Sequence, residues 1–191
     1  MPSHGTSPRS QAEPLLVGLA GRIGAGKTAA AEYLEREHGF QSTRYSKVIR
    51  RWRGSDATTL TELRELGWQI MSSGQQAELN ARLIAGLDRS HSAVIDGLRH
   101  PIDFRSLSDA FGPAFHLMYL EATPERRFDH HNKGKYLSRE DFAAADAHPV
   151  EAQVDGLRTL AEATILNEGP LDLLHRELNR WLTVFRTGDK A

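Results

Sequence analysis

Apolar runs bounded by glycine or polar residues alternate along this chain with stretches in which apolar positions recur every three or four residues. Leu15-Leu-Val-Gly-Leu-Ala20 is too short for a helix and suits a strand buried on both faces. From Lys27 to His38 the spacing predicts a helix, with Ala29, Ala30, Tyr33 and Leu34 on one side and Gly39 as its stop. Phe40 to Tyr45 reads as a weaker second strand. Thr59 to Leu87 reads as helical through Leu60, Leu63, Leu66, Ile70, Leu79 and Leu83, divided or bent at Gly67 and Gly74. Three more strands are expected at Ala93–Asp96, Phe115–Leu120 and Ala163–Asn167, and a final helix from Leu171 to Phe185. Trp68 and Met71 lie on an apolar helical stripe and read as core. Ser138-Arg-Glu-Asp141 has the pattern of a capping box that starts a helix.

Strands alternating with helices imply parallel pairing through right-handed crossovers, hence an α/β fold of three layers, α/β/α. Residues 14–185 form one expected domain, flanked by Ser/Pro/Gly-rich residues 1–13 and a short polar segment, 186–191, both read as tails. The chain of 191 residues contains no cysteine, which excludes disulfides, Cys-ligated metal centres and thiol catalysis. With 24 basic and 25 acidic residues the net charge is -1, so wholesale coating of nucleic acid or anionic membrane is not expected. No apolar run approaches a membrane span and the first residues carry no secretory pattern, so a cytoplasmic protein, monomer or homodimer, is the expectation.

The chemistry enters at Gly21-Arg22-Ile23-Gly24-Ala25-Gly26-Lys27-Thr28, which fits G-x-x-x-x-G-K-[ST] between a strand and a helix. Glycines there let backbone N–H groups face a phosphate, and the helix N-terminus adds partial positive charge. Lys27 is spaced to reach the outer phosphates and Thr28 to ligate Mg²⁺. ATP is the expected donor, since no Asn-Lys-x-Asp guanine signature follows the later strands. A second motif, Ala93-Val-Ile-Asp96-Gly97-Leu98-Arg99, sets a carboxylate at the end of a buried strand, where open α/β sheets bind ligands. Asp96 would share the Mg²⁺ or accept a proton, and Arg99 would fork a phosphoryl oxygen.

Together GRIGAGKT, VIDGLRHP, FHLMYLEATPERR and ATILNEGPLDLL resemble the P-loop nucleotide kinase family, nearest the branch of deoxynucleoside monophosphate kinases and dephospho-coenzyme A kinase-like proteins. The resemblance implies five parallel strands in order 2-3-1-4-5, an acceptor region at about 44–90 and a lid at about 123–146. It places lid cations at Arg126 and Arg127, with Arg127 counted as catalytic beside Lys27, Asp96 and Arg99. His130, His131, Lys133 and Lys135 stand where relatives are arginine-rich. Asn167 falls near the expected adenine site. Asp146 and Glu151 fall where some relatives hold lid or metal contacts, but read as solvated charges.

The acceptor segment Arg44-Tyr-Ser-Lys-Val-Ile-Arg-Arg-Trp-Arg53 is half basic with aromatics interleaved. Arg44, Ser46, Arg50, Arg51 and Arg99 are its candidate substrate contacts. Many relatives carry an Asp at the end of the second strand, which is Ser46 or Lys47 here. A nucleoside monophosphate is already an anion and needs no base, so the missing Asp favours it as acceptor over dephospho-coenzyme A. A hydroxymethylated base in phage-type DNA stays open as an alternative acceptor, as does a non-catalytic triphosphate-binding module.

Overall fold

The computed structural model describes residues 13–54, 59–132 and 138–187. Its elements are β1 (Leu16–Ala20), α1 (Lys27–His38), β2 (Gln41–Arg44), α2 (Tyr45–Arg53), α3 (Leu60–Ser72), α4 (Gln76–Ala85), β3 (Ala93–Leu98), α5 (Pro101–Phe111), β4 (Phe115–Glu121), α6 (Pro124–Asn132), α7 (Arg139–Asp146), α8 (Pro149–Asp155), β5 (Ala163–Leu166) and α9 (Leu171–Thr187). The strands form one parallel sheet in the order β2-β3-β1-β4-β5. That is the order the family resemblance implied.

Strand alternation sorts the core into two halves. Leu16, Ile95, Leu117 and Tyr119 face one way, beneath α2 to α5 and α8. Val17, Leu19, Val94, Met118 and Leu120 face the other, where Ala30, Leu34, Leu174 and Leu178 of α1 and α9 cover them. Asp96 follows Val94 by two residues and therefore emerges on the α1 side, which is what brings it to Thr28. Every strand ends its chain direction at the same edge of the sheet, and that edge carries the site.

Several boundaries differ from those the pattern predicts. The basic segment after β2 is a helix, α2, that starts at Tyr45 with no intervening loop and Arg44 as its extended N-cap. Tyr45 and Ile49, four apart, are buried while Val48 and Trp52 pack beside them, so Arg51 and Arg53 are exposed and Arg50 is half-buried. Gly74 divides the long helical stretch, but Gly67 does not: it lies inside α3, with room for a Cβ at ordinary contact distance from Ile49. The last helix runs to Thr187, so it takes in the first two residues of the expected tail. The expected N-terminal tail, apart from Glu13, and the lid lysines Lys133 and Lys135 lie outside the described residues. Ser138 and Asp141 form the predicted capping box at the start of α7. No helix among the described residues is long and apolar enough to cross a membrane.

Candidate active site

Residues 21–26 wrap tightly before α1 opens. A Cβ at Gly24 (φ +79°) would lie 2.1 Å from the Arg127 carbonyl oxygen, and one at Gly26 (φ +105°) 2.3 Å from Asn167 Nδ2. Both left-handed conformation and close approach demand glycine there. No side chain caps the N-terminus of α1, which leaves its first amides to a ligand.

Lys27, the first residue of α1, is buried, and its Nζ donates to the carbonyls of Gly21 (2.5 Å) and Arg22 (2.9 Å). Burial, reinforced by the nearby Arg99 charge, pushes its pKa down to about 8, against the pull of Asp96 and Glu151. Thr28 Oγ1 donates to Asp96 Oδ2 at 2.9 Å. A hydroxyl and a carboxylate side by side at the head of a phosphate loop are hard oxygen donors of the kind Mg²⁺ takes, so these residues fit that ion.

Two cavities meet at this point. The larger, about 630 Å³, is lined by Gly26, Lys27, Thr28, Arg126, His130 and Asn167 among others. The smaller, about 230 Å³, is lined by Arg44, Ser46, Arg64, Asp96 and Arg99, and shares Gly24, Lys27 and Thr28 with the first. Two spaces that join over one lysine and one hydroxyl have the geometry that direct transfer of a group between two ligands would need. Each holds an arginine with a buried Nε that has no partner, Arg126 in the larger and Arg44 in the smaller. Buried donors of this kind are rare unless something else satisfies them.

Of the expected acceptor contacts, Arg44, Ser46 and Arg99 line the small cavity, but Arg50 and Arg51 do not. Helical geometry turns Arg51 onto a different surface, beside Lys47, Trp52 and Arg82. Arg127, expected to neutralise the transferring phosphoryl group, is instead buried: it grips Asp146 through Nη1 (2.5 Å) and Nη2 (2.9 Å) and donates to the carbonyls of Ala122 and Ile23 (3.2 Å each). Its donors are spent on pinning α6 to the loop and to α7. Arg22 belongs to the loop by its backbone only, since its guanidinium turns away to Asp155, at 2.7 and 2.9 Å. Asn167 borders the larger cavity, but its side chain donates to Ala25 O at 3.0 Å and so braces the loop.

Sequence reasoning missed Arg64, which sits one position from the buried Leu63 on α3 and three from Gly67, all facing the acceptor cavity. Glu151 and Asp146, read as solvated, are not. The Glu151 side chain is 0 % exposed, pairs with Arg99 Nη1 and accepts from the Ile23 amide at 2.9 Å. Its burial opposes ionisation, yet Arg99, Lys27 and the two hydrogen bonds hold its pKa below the ordinary carboxylate value. Asp103 fixes the loop that follows β3, accepting from the amides of Arg99 (2.9 Å) and His100 (3.0 Å) and from Gln76 and Asn80. Asn80 in turn accepts from the Tyr45 hydroxyl at 2.5 Å, linking α2 to the same network.

No known family model matches the chain. A dephospho-CoA kinase of Deinococcus radiodurans is 26 % identical over 91 % of this chain and 93 % of its own length. Among solved structures, a gluconokinase from Sinorhizobium meliloti 1021 superposes with a TM-score of 0.65 at 13 % identity, covering 93 % of this chain and 97 % of that one. A shikimate kinase from Acinetobacter baumannii, in complex with shikimate, gives 0.61 at 17 %, covering 89 % and 93 %. These likenesses are of the fold, which in this chain is a five-stranded parallel sheet with helices on both sides.

Proposed function

We propose that this chain is a P-loop nucleotide kinase and transfers the γ-phosphoryl group of ATP to the phosphate of a nucleoside monophosphate. An oxygen of the acceptor phosphate attacks the γ-phosphorus in line while the bond from that phosphorus to the bridging β,γ-oxygen breaks. ADP leaves with the electron pair, and no enzyme-bound intermediate forms. The nucleophile is already ionised, so no proton has to be removed.

The loop amides and Lys27 hold the donor, and Arg126 meets it from the lid side. Arg44 and Arg64 grip the acceptor phosphate, while Arg99 faces the charge spreading onto the transferred group. Thr28 and Asp96 would hold Mg²⁺, which supplies further neutralisation of the phosphate charge.

The observation that carries this reading is the lining of the acceptor cavity. Three guanidinium groups border it against one carboxylate, Asp96, which is already engaged by Thr28, and the Arg44 Nε is buried without a partner. Such a lining is built for a dianion. Dephospho-coenzyme A is the second reading, favoured by the Deinococcus relative; Asp96 would then take the proton of the attacking hydroxyl.

An acceptor screen with γ-labelled ATP decides between them. Ribo- and deoxynucleoside monophosphates, dephospho-coenzyme A and hydroxymethyluracil-containing DNA are offered in parallel. Label in one or more monophosphates is expected; label only in dephospho-coenzyme A or only in DNA would overturn the assignment. Tight ATP binding with no label anywhere would favour a non-catalytic role.

A further inference from the structure

Burial and the Arg99 charge hold both Lys27 and Arg64 below their ordinary pKa values, so Arg99 is the cation these two share. Crowded cations in a space of low dielectric repel, and an unliganded site tolerates them only with a resident counter-charge. Asp96 supplies part of it; the rest comes from Glu151. Of the acidic residues here it is the one whose side chain has no solvent exposure, and both its oxygens are engaged, one by the Arg99 guanidinium and one by the Ile23 amide of the phosphate loop.

Its carrier is equally fixed. Glu151 is the third residue of α8, whose Val150 and Val154 are buried, with Leu157 just beyond. A carboxylate this close to a polyphosphate site opposes the ligand's charge, so its presence calls for a compensating service. The Arg99 backbone is already held by Asp103, at 2.9 Å from its amide. Glu151 supplies the missing constraint on the side chain.

We propose that Glu151 is a positioning residue for phosphoryl transfer, holding the Arg99 guanidinium at a set distance from the donor loop by bridging the arginine and the Ile23 amide. Anchored at one edge, the fork keeps its other donors for the acceptor cavity that Arg99 lines. Released, a long side chain would spread over many rotamers and meet the phosphoryl group only part of the time. This inference rests on the reading of Arg99 as the residue facing the transferred group.

A double-mutant cycle on the full chain tests it, with Glu151→Gln, Arg99→Ala and their combination, and with Glu151→Asp as a charge-conserving control. Gln keeps the volume and an oxygen for the Ile23 amide but offers Arg99 no charge. Asp keeps the charge and, one methylene shorter, spans only one of the two partners. Each Glu151 variant is expected to lower kcat about tenfold with KM for ATP within about threefold of wild type. The double variant should lose no more than Arg99→Ala alone, because the glutamate acts through the arginine. Losses that multiply, or an unchanged kcat in both Glu151 variants, would overturn the proposal.

A second readout needs no acceptor. In ¹⁵N spectra of arginine side chains, the Arg99 Nη signals, identified by their loss in Arg99→Ala, should be separately resolved in the wild type and merge in Glu151→Gln. Signals that stay resolved in that variant would also count against the tether. A wild-type protein that phosphorylates no acceptor sinks the functional reading above, while the tether is still judged by the spectra.

Discussion

Lys27 illustrates how a functional residue can work against the fold that carries it. Below about pH 8 its ammonium is charged in both folded and unfolded chains, but only the folded state must bury it. A shift from 10.5 to about 8 corresponds to roughly 3 kcal/mol of penalty, partly offset by the two carbonyls it meets. Lys27→Met is therefore expected to raise the stability of the ligand-free protein at pH 7 by about 1–2 kcal/mol, read by chemical denaturation, while lowering transfer by about 10³-fold or more. Between pH 8 and 10 the folded wild type binds fewer protons than the unfolded chain, so it gains stability with pH and the advantage of the variant shrinks. Arg44 works in the opposite sense, with a buried donor left open for the ligand. Arg44→Ala should raise KM for the acceptor at least about tenfold and leave KM for ATP within about twofold, as steady-state kinetics would show.

At the scale of elements, α6 separates two neighbouring arginines by function. Successive helical residues point about 100° apart, so Arg126 borders the donor cavity while Arg127 turns into the seam between the phosphate loop and α7. Arg127→Ala leaves the half-buried Asp146 with only its longer contact to Arg22, 3.4 Å, and should cost about 3 kcal/mol, measured by denaturant unfolding. Arg126→Ala should stay within about 0.5 kcal/mol of wild type in the same assay and weaken ATP binding about tenfold by calorimetry. The family resemblance implied cations at both positions but not which of them was structural, because that depends on the facing partner. The same contact explains Gly24, whose missing side chain makes room for the Arg127 carbonyl. α2 offers the converse case. Its basic residues were legible, but only the burial of Tyr45 and Ile49 decides that Arg50 and Arg51 turn away from the acceptor cavity.

Across the whole molecule, acidic groups tie distant segments to the loop. Asp155 and Asp146 hold Arg22, Asp146 also holds Arg127, and Glu151 holds Arg99. Their folded-state pKa values are all depressed: for Asp155 chiefly by its hydrogen bonds to Arg22, for Asp146 and Glu151 by paired arginines that outweigh burial. A depressed carboxylate contributes stability above its unfolded value and loses it as pH falls through the folded one. The ordinary values are 4.5 for Glu and 3.8 for Asp, so the thermal midpoint should hold steady from pH 7 to 5 and fall steeply below about pH 4.5. A midpoint unchanged down to pH 3 would show that these pairs contribute nothing to the fold.

The linear sequence determined whatever depends on neighbours along the chain. Strand and helix periods are local, and so are the glycines, lysine and threonine of the loop, because one strand–turn–helix unit supplies them all, although distant residues brace it. Strand order came through family resemblance and matched the sheet. Tertiary structure decided the fate of each charge. Whether a guanidinium is also gripped by a carboxylate, as at Arg99 and Arg127, is set by residues 19 to more than 50 positions away. Desolvation and pairing are properties of the packed interior, where α8 brings Glu151 beneath the loop, and no spacing along the sequence encodes them.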